Sequence, residues 1–145
     1  MKVKLDHVNL TVENLKSSID WYNKIFGFEL VEKGISAAGK SWGIVANNDS
    51  MICMTEYKDR SRADHHDQDK VHQIFHFGIR ISDLDLWQKI VKAYELRLYY
   101  GGVVRYPDSQ SWYVHDPDGH EIEVSYSDQK PLVFPELSKG ERHTS

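Results

Sequence analysis

The chain has 145 residues, 40% of them hydrophobic and 28% charged, with a formal net charge of −4. That size and apolar share suit a compact unit with a proper core, and the mixed, mildly acidic charge lacks the basic footprint of a nucleic-acid or anionic-membrane binder. No apolar run is long enough to span a bilayer, the start of the chain has no signal-peptide core, and Cys53 is the only cysteine. An internal disulfide is therefore excluded, and a cytoplasmic protein is expected.

In chain order, Val3 to Val12 reads as a strand. Val8, Leu10 and Val12 fall on one face, and His7, Asn9 and Thr11 on the other. Leu15, Ile19, Tyr22, Ile25 and Phe26 recur at helical spacing, with Asn14 placed to cap the start and Gly27 to end the helix. Short strands follow at Phe28 to Lys33, Ser41 to Ala46 and Met51 to Tyr57, separated by turn residues. A polar linker runs from Lys58 to about His72, carrying Asp64-His65-His66-Asp67, which reads as a solvated loop.

The order then recurs. A strand spans Ile74 to Ile81, and a helix opens near Ser82 or Asp83 with Leu86, Trp87, Ile90, Val91 and Tyr94 on its apolar stripe. Strands follow at Gly102 to Tyr106, Ser111 to His115 and Glu121 to Tyr126. The last two are joined by the turn signal Asp116-Pro117-Asp118-Gly119, and the stretch from Ser127 to Ser145 reads as an irregular extension. The chain is thus an α+β protein of two βαβββ modules, residues 1–57 and 74–126, joined by a linker at 58–73. Each module alone leaves a sheet face unburied, so the modules should pack on each other or on a second chain.

The repeat exposes one mismatch. His7-Val8-Asn9-Leu10 is echoed by His76-Phe77-Gly78-Ile79, and Asn48-Asp49-Ser50-Met51-Ile52-Cys53 by Asp118-Gly119-His120-Glu121-Ile122-Glu123. Each module supplies a histidine, but only the second supplies a carboxylate, Glu123, where the first has Cys53. Two imidazoles and one carboxylate make an open site for a divalent metal, with positions left for water or substrate. Strand parity places Met51, Cys53 and Thr55 on one face, Glu121, Glu123 and Ser125 on another, Ser111, Tyr113 and His115 on a third, and His76, Gly78 and Arg80 on a fourth. These mixed polar sets should line an inner face, with the apolar sets under the helices. Tyr113 and Glu121 are the candidate proton-handling groups. Asn9, Cys53, Arg80, Ser111 and His115 are candidate substrate contacts. Glu56 has the opposite parity to Cys53 and should point elsewhere.

Asp6-His7-Val8, Trp21-Tyr22, Phe26-Gly27-Phe28, His76-Phe77-Gly78-Ile79 and Asp116-Pro117-Asp118-Gly119-His120-Glu121-Ile122-Glu123 together resemble the vicinal oxygen chelate superfamily. That group includes glyoxalase I, fosfomycin-modifying thiol transferases, methylmalonyl-CoA epimerase, extradiol dioxygenases and bleomycin-resistance proteins. The resemblance covers about Val3 to Tyr126. It implies a U-shaped, barrel-like mixed sheet with helices outside, and a metal (Fe, Mn, Zn or Ni) held by His7, His76 and Glu123. It also implies a homodimer, an assembly in which family members often build each site across two chains. Glyoxalase I and the epimerase use a fourth ligand at the position of Cys53, so a three-ligand enzyme is expected. Its substrate should be small and chelate the metal through vicinal oxygens, in extradiol-dioxygenase-like or glyoxalase-like lyase chemistry. Fosfomycin-type thiol transfer is the first alternative, with Asn9 standing where those enzymes have Thr and with Arg105 and Lys130 as the nearby basic residues. A metal-free, drug-binding protein of the bleomycin-resistance type is the second.

Overall fold

The computed structural model describes residues 1–63, 70 and 72–128. The tract Asp64-His65-His66-Asp67 and the extension beyond residue 128, including Lys130, lie outside the described residues. The elements are β1 (Val8–Val12), α1 (Leu15–Phe26), β2 (Glu29–Ile35), β3 (Ser41–Asn47) and β4 (Ser50–Glu56). They are followed by β5 (Phe77–Ile81), α2 (Leu84–Ala93), β6 (Val104–Tyr106), β7 (Ser109–His115) and β8 (Glu121–Tyr126). The βαβββ pattern occurs twice, in two four-stranded sheets ordered β1-β4-β3-β2 and β5-β8-β7-β6. In the first, β1 runs parallel to β4 and the remaining pairs are antiparallel. By internal contacts the described residues form two compact units, the first made of those in Met1–Phe77 and Val114–Ile122, the second of those in Gly78–Tyr113 and 123–128. No helix among the described residues is long and apolar enough to cross a membrane.

The α1 boundaries follow from local chemistry. Asn14 has extended backbone and its side chain accepts the Ser17 N–H at 2.9 Å. Gly27 ends the helix at φ 68°, a left-handed conformation that glycine takes without a Cβ penalty. Leu15, Ser18, Tyr22 and Ile25 form the buried stripe. It covers the β1 and β4 face that carries Leu10, Val12, Ile52 and Met54, all buried. A Cβ on Gly43 of β3 would lie 3.4 Å from Ile19 Cδ1, so a small residue there lets the helix approach the sheet closely.

Two departures from the sequence expectation have physical causes. β1 begins at Val8 rather than Val3, because its ladder partner runs out. Val8 pairs with Ile52, and just upstream β4 enters the turn where Asn48 sits at φ 50°. In α2 the expected five-residue stripe narrows. Trp87 is buried, whereas Leu86 and Tyr94 are exposed. Leu86 is one residue, hence about 100°, round the helix from Trp87, and Tyr94 lies past the last helical turn as the C-cap. Trp87 packs against Trp112 of β7, with ring centroids 6.2 Å apart.

Candidate functional site

The turn between β7 and β8 is the most heavily bonded part of the candidate region. The Asp116 carboxylate is buried and accepts from Tyr22 Oη at 2.9 Å, the backbone N–H of Asp118 at 3.0 Å and that of His120 at 2.9 Å. His120 Nδ1 completes the set at 2.8 Å from the carboxylate. Asp118 bonds outward to the start of α1, accepting the Glu13 N–H at 2.9 Å and the Ser18 hydroxyl at 3.2 Å. Burial, then the Asp116 charge, pushes the Tyr22 phenol well above its ordinary value. Burial alone would lower the His120 imidazole, but its hydrogen bond to Asp116 and that carboxylate's charge outweigh this and hold it above the ordinary histidine value. Gly119 has φ 89°, and a Cβ there would meet Ala63 O at 2.7 Å. Sequence reading marked the turn but missed its partners. The available signal was a Tyr and a Ser on the buried helix stripe, because buried hydroxyls require hydrogen-bond partners.

Beyond the turn, Glu121 opens β8. Its side chain is fully covered, with 0% exposure. Glu121 Oε2 lies 3.5 Å from His76 Nδ1, and Oε1 lies 3.7 Å from His115 Nε2. Parity explains the second approach, since His115 and Glu121 are matched positions on strands joined by a tight turn. The carboxylate therefore faces two imidazoles at once.

Glu123, two residues on, is partly exposed. Ser111 Oγ, itself buried, donates to Glu123 Oε1 at 2.7 Å. Tyr113 Oη lies 2.9 Å from Tyr106 Oη, and its ring meets Tyr100 edge-on at 5.0 Å. Burial, the Tyr106 hydroxyl and the Glu123 charge together raise the Tyr113 phenol, so at neutral pH it is a protonated donor and not a base. The parity sets Ser111/Tyr113 and Glu123 thus meet in space.

In the first module, the β1–β4 register pairs Asn9 with Cys53 and Leu10 with Met54. Asn9 and Thr11 are exposed, whereas Leu10 and Met54 are buried. Cys53 also pairs with Ile44 of β3. It is partly exposed on the open face rather than buried among apolar groups, and partial burial with the nearby Asp6 charge raises its thiol. Glu56 points to the helix side, where Oε2 accepts the Leu15 N–H at 3.0 Å at the start of α1. His7, just before β1, is exposed at 42% and its Nδ1 lies 2.7 Å from Asp6 Oδ2. Arg80 is exposed on β5. Among the described residues, no group of three or more His, Cys, Asp and Glu side chains lies close enough to hold a metal ion.

A small cleft of about 130 Å³ opens beside the turn, lined by Thr11, Tyr57, Arg60, Asp118 and His120 among others. The Arg60 guanidinium lies over the Tyr57 ring, 3.8 Å from its centroid. A second cleft, about 270 Å³, is lined by Lys4, Asp6, Asp49 and Met51 near the approach to His7.

Comparison with known proteins places the chain. Residues 4–124 match the family model of the Glyoxalase/Bleomycin resistance protein/Dioxygenase superfamily. Metallothiol transferase FosB of Bacillus licheniformis is 28% identical over 120 residues, covering 83% of this chain and 73% of that protein. A trivalent organoarsenical cleaving enzyme of Bacillus sp. (strain MD1) is 27% identical over 135 residues, covering 86% of this chain and 74% of that one. Among solved structures, a glyoxylase/bleomycin resistance protein/dioxygenase domain from Frankia sp. EAN1pec superposes with a TM-score of 0.74 at 17% identity, covering 91% of this chain and 96% of that one. The fosfomycin resistance protein FosX of Listeria monocytogenes, complexed with Mn(II) and sulfate, superposes with a TM-score of 0.63 at 18% identity, covering 88% and 94%.

Proposed function

The chain belongs to the glyoxalase/bleomycin resistance protein/dioxygenase superfamily, and from that premise we propose that it is a divalent-metal-dependent enzyme. Its substrate is small and chelates the metal through adjacent oxygens. His7, His76 and Glu123 are the proposed ligands. Two imidazoles and a carboxylate are the donor types such an ion takes, and Glu123 has one oxygen held by Ser111, but among the described residues the three are not gathered closely enough to hold one. The observation that carries the reading is this Ser111–Glu123 bond, at the very position where the repeat replaces Cys53 by a carboxylate. A carboxylate fixed through one oxygen is pre-oriented to offer the other. When bound, the metal supplies Lewis-acid polarisation of a substrate oxygen.

The remaining roles belong to this chain's own side chains. Ser111 orients Glu123. Tyr113, kept protonated, donates a hydrogen bond or proton to the substrate. Asn9, Cys53 and Arg80 contact it from the open sheet faces. Glu56 is engaged at the start of α1, and Cys53 stands where glyoxalase-type enzymes place a fourth ligand, so the site has three protein ligands.

Within this class, transfer of a small thiol to a phosphonate-like substrate is the leading reaction, supported by the likeness to metallothiol transferase FosB. Dioxygenase-like or lyase chemistry is the second reading, supported by the likeness to an organoarsenical cleaving enzyme. We further propose a homodimer that contributes residues to each site. Leu5, Ile74 and Phe75, close in sequence to His7 and His76, are exposed large apolar side chains that a second copy would cover.

The test is metal analysis of protein purified without chelator, beside a His76→Ala variant, followed by thiol-conjugation assays with fosfomycin. Bound Mn²⁺ with conjugation supports thiol transfer. Bound iron without conjugation moves the reading to oxygen or lyase chemistry. No metal in wild type, and no uptake above that of the variant, leaves a metal-free small-molecule binding protein.

A further inference from the structure

We propose that the cleft at the end of β1 binds a small tetrahedral oxyanion, a phosphate group, with Arg60 and His120 as its principal donors and the Thr11 and Ser61 hydroxyls beside them. The metal reading plays no part here. Thr11 lies four residues beyond His7, about 13 Å along an extended chain.

Three pieces of chain wall the cleft: the end of β1 with Thr11, the β7–β8 turn with Asp118 and His120, and the segment after β4 with Tyr57, Arg60 and Ser61. That last segment is pinned at both ends. The Tyr57 N–H bonds Val12 O at 2.8 Å, the Ala63 N–H bonds Asp118 O at 2.8 Å, and Arg62 Nη1 donates to Pro117 O at 2.7 Å. The donors on it are therefore held in place before a ligand arrives. The cleft's volume of about 130 Å³ equals the share of roughly four waters, room for a single small ion.

The Arg60 guanidinium lies over the Tyr57 ring at 3.8 Å. Among the described residues Arg60 has no hydrogen bond or ion pair, so its planar fork of N–H groups is open to a ligand. His120 commits Nδ1 to Asp116 at 2.8 Å, which leaves Nε2 for a ligand. Burial works against a charge on this ring, but the bond to Asp116 and the charges of Asp116 and Asp118 outweigh both burial and the opposing Arg62. The imidazolium is favoured, and in it both nitrogens donate. The nearby acids are engaged. Asp118 accepts the Glu13 N–H and the Ser18 hydroxyl, and the buried Asp116 accepts from Tyr22 and two backbone N–H groups. The Glu13 carboxylate is exposed, where water screens it. Donors on three walls suit acceptors arranged in three dimensions, whereas a planar carboxylate would be met by the Arg60 fork alone.

The test is calorimetric titration of the full-length protein with inorganic phosphate at constant ionic strength. Binding should saturate, sulfate should compete for it and acetate should not. Arg60→Gln should weaken it about 10-fold, the loss of one charge-assisted bond. Arg97→Gln removes another exposed arginine, one over Tyr99, and should leave it unchanged. Thermal melts check that both variants fold, and the His120 Nε2 resonance should move on titration of the wild type. Methyl phosphate binding more tightly than inorganic phosphate assigns the site to a phosphomonoester, and weaker binding assigns it to the free ion; both support the proposal. Absence of saturable binding overturns it. So does competition by acetate equal to that by sulfate, or an Arg60→Gln affinity no weaker than that of Arg97→Gln.

Discussion

The two βαβββ modules share a plan but hold their helices by different means. α1 buries Leu15, Ser18, Tyr22 and Ile25, and two of those four are polar groups bonded to the β7–β8 turn through Asp116 and Asp118. α2 buries Trp87 alone, its ring tilted at 59° to that of Trp112. The first helix is thus located by directional bonds to fixed partners, the second by one large apolar side chain. A hydrogen-bonded helix has one register at which its donors are satisfied, whereas an aromatic contact tolerates small shifts. The turn whose orientation α1 fixes is the one that leads directly into Glu121 and Glu123.

The comparison is broken most severely at the single anchor. Trp87→Ala should cost about 4 kcal/mol in denaturant unfolding, with loss of α2 packing. A loss below about 1 kcal/mol would mean that the half-buried Ile90 and Val91 hold this helix. Asp116→Ala should come next, at about 3 kcal/mol, because it strands a buried phenol, an imidazole and two backbone N–H groups together. Tyr22→Phe removes one donor from the same network while keeping the ring, and should cost about 1 kcal/mol. Coupling between Tyr22→Phe and Asp116→Asn, measured by a double-mutant cycle, separates a directional network from simple packing.

A smaller, pH-dependent difference should mark the first helix's anchor. The folded-state His120 is held above its ordinary value of about 6.5 by Asp116. A raised folded value means that its stabilising contribution is complete below the unfolded value and is lost as pH rises through the folded one. Unfolding free energy should therefore decline across that window above about pH 6.5, and the decline should vanish in His120→Gln. Trp87→Ala should leave the slope intact. The least effect on stability, but a selective one on the site, is expected from Ser111→Ala. It should cost about 1 kcal/mol in unfolding while weakening metal uptake several-fold, and equal metal affinity in wild type and variant would remove Ser111 from the ligand-orienting role.

Much of the fold is legible in the sequence itself. The α1 limits Leu15 and Phe26 follow from Asn14, Gly27 and the apolar period, and the β8 limits Glu121 and Tyr126 match the alternation after the Asp-Pro-Asp-Gly turn. Parity alone separated Glu56 from Cys53, and Glu56 indeed faces α1. These features are local. Caps, turns and alternation act over a few residues, so the chain order encodes them directly.

The rest was set by partners distant along the chain. β1 is short because β4, more than forty residues later, turns away from it. Cys53 lies partly exposed beside its ladder neighbour Asn9, which is itself exposed. Glu121, a candidate proton-handling group by its strand position, is fully covered, with His76 and His115 near its two oxygens. Tyr22 and Asp116 had no sequence pattern to link them, yet they form the buried bond between α1 and the turn. By itself the sequence determined which residue types alternate, where elements start and stop, and that two histidines and one glutamate occupy repeat-related positions. Only the tertiary structure decided which carboxylates are buried and by what, because burial and hydrogen bonding of a side chain depend on neighbours that chain order does not bring together.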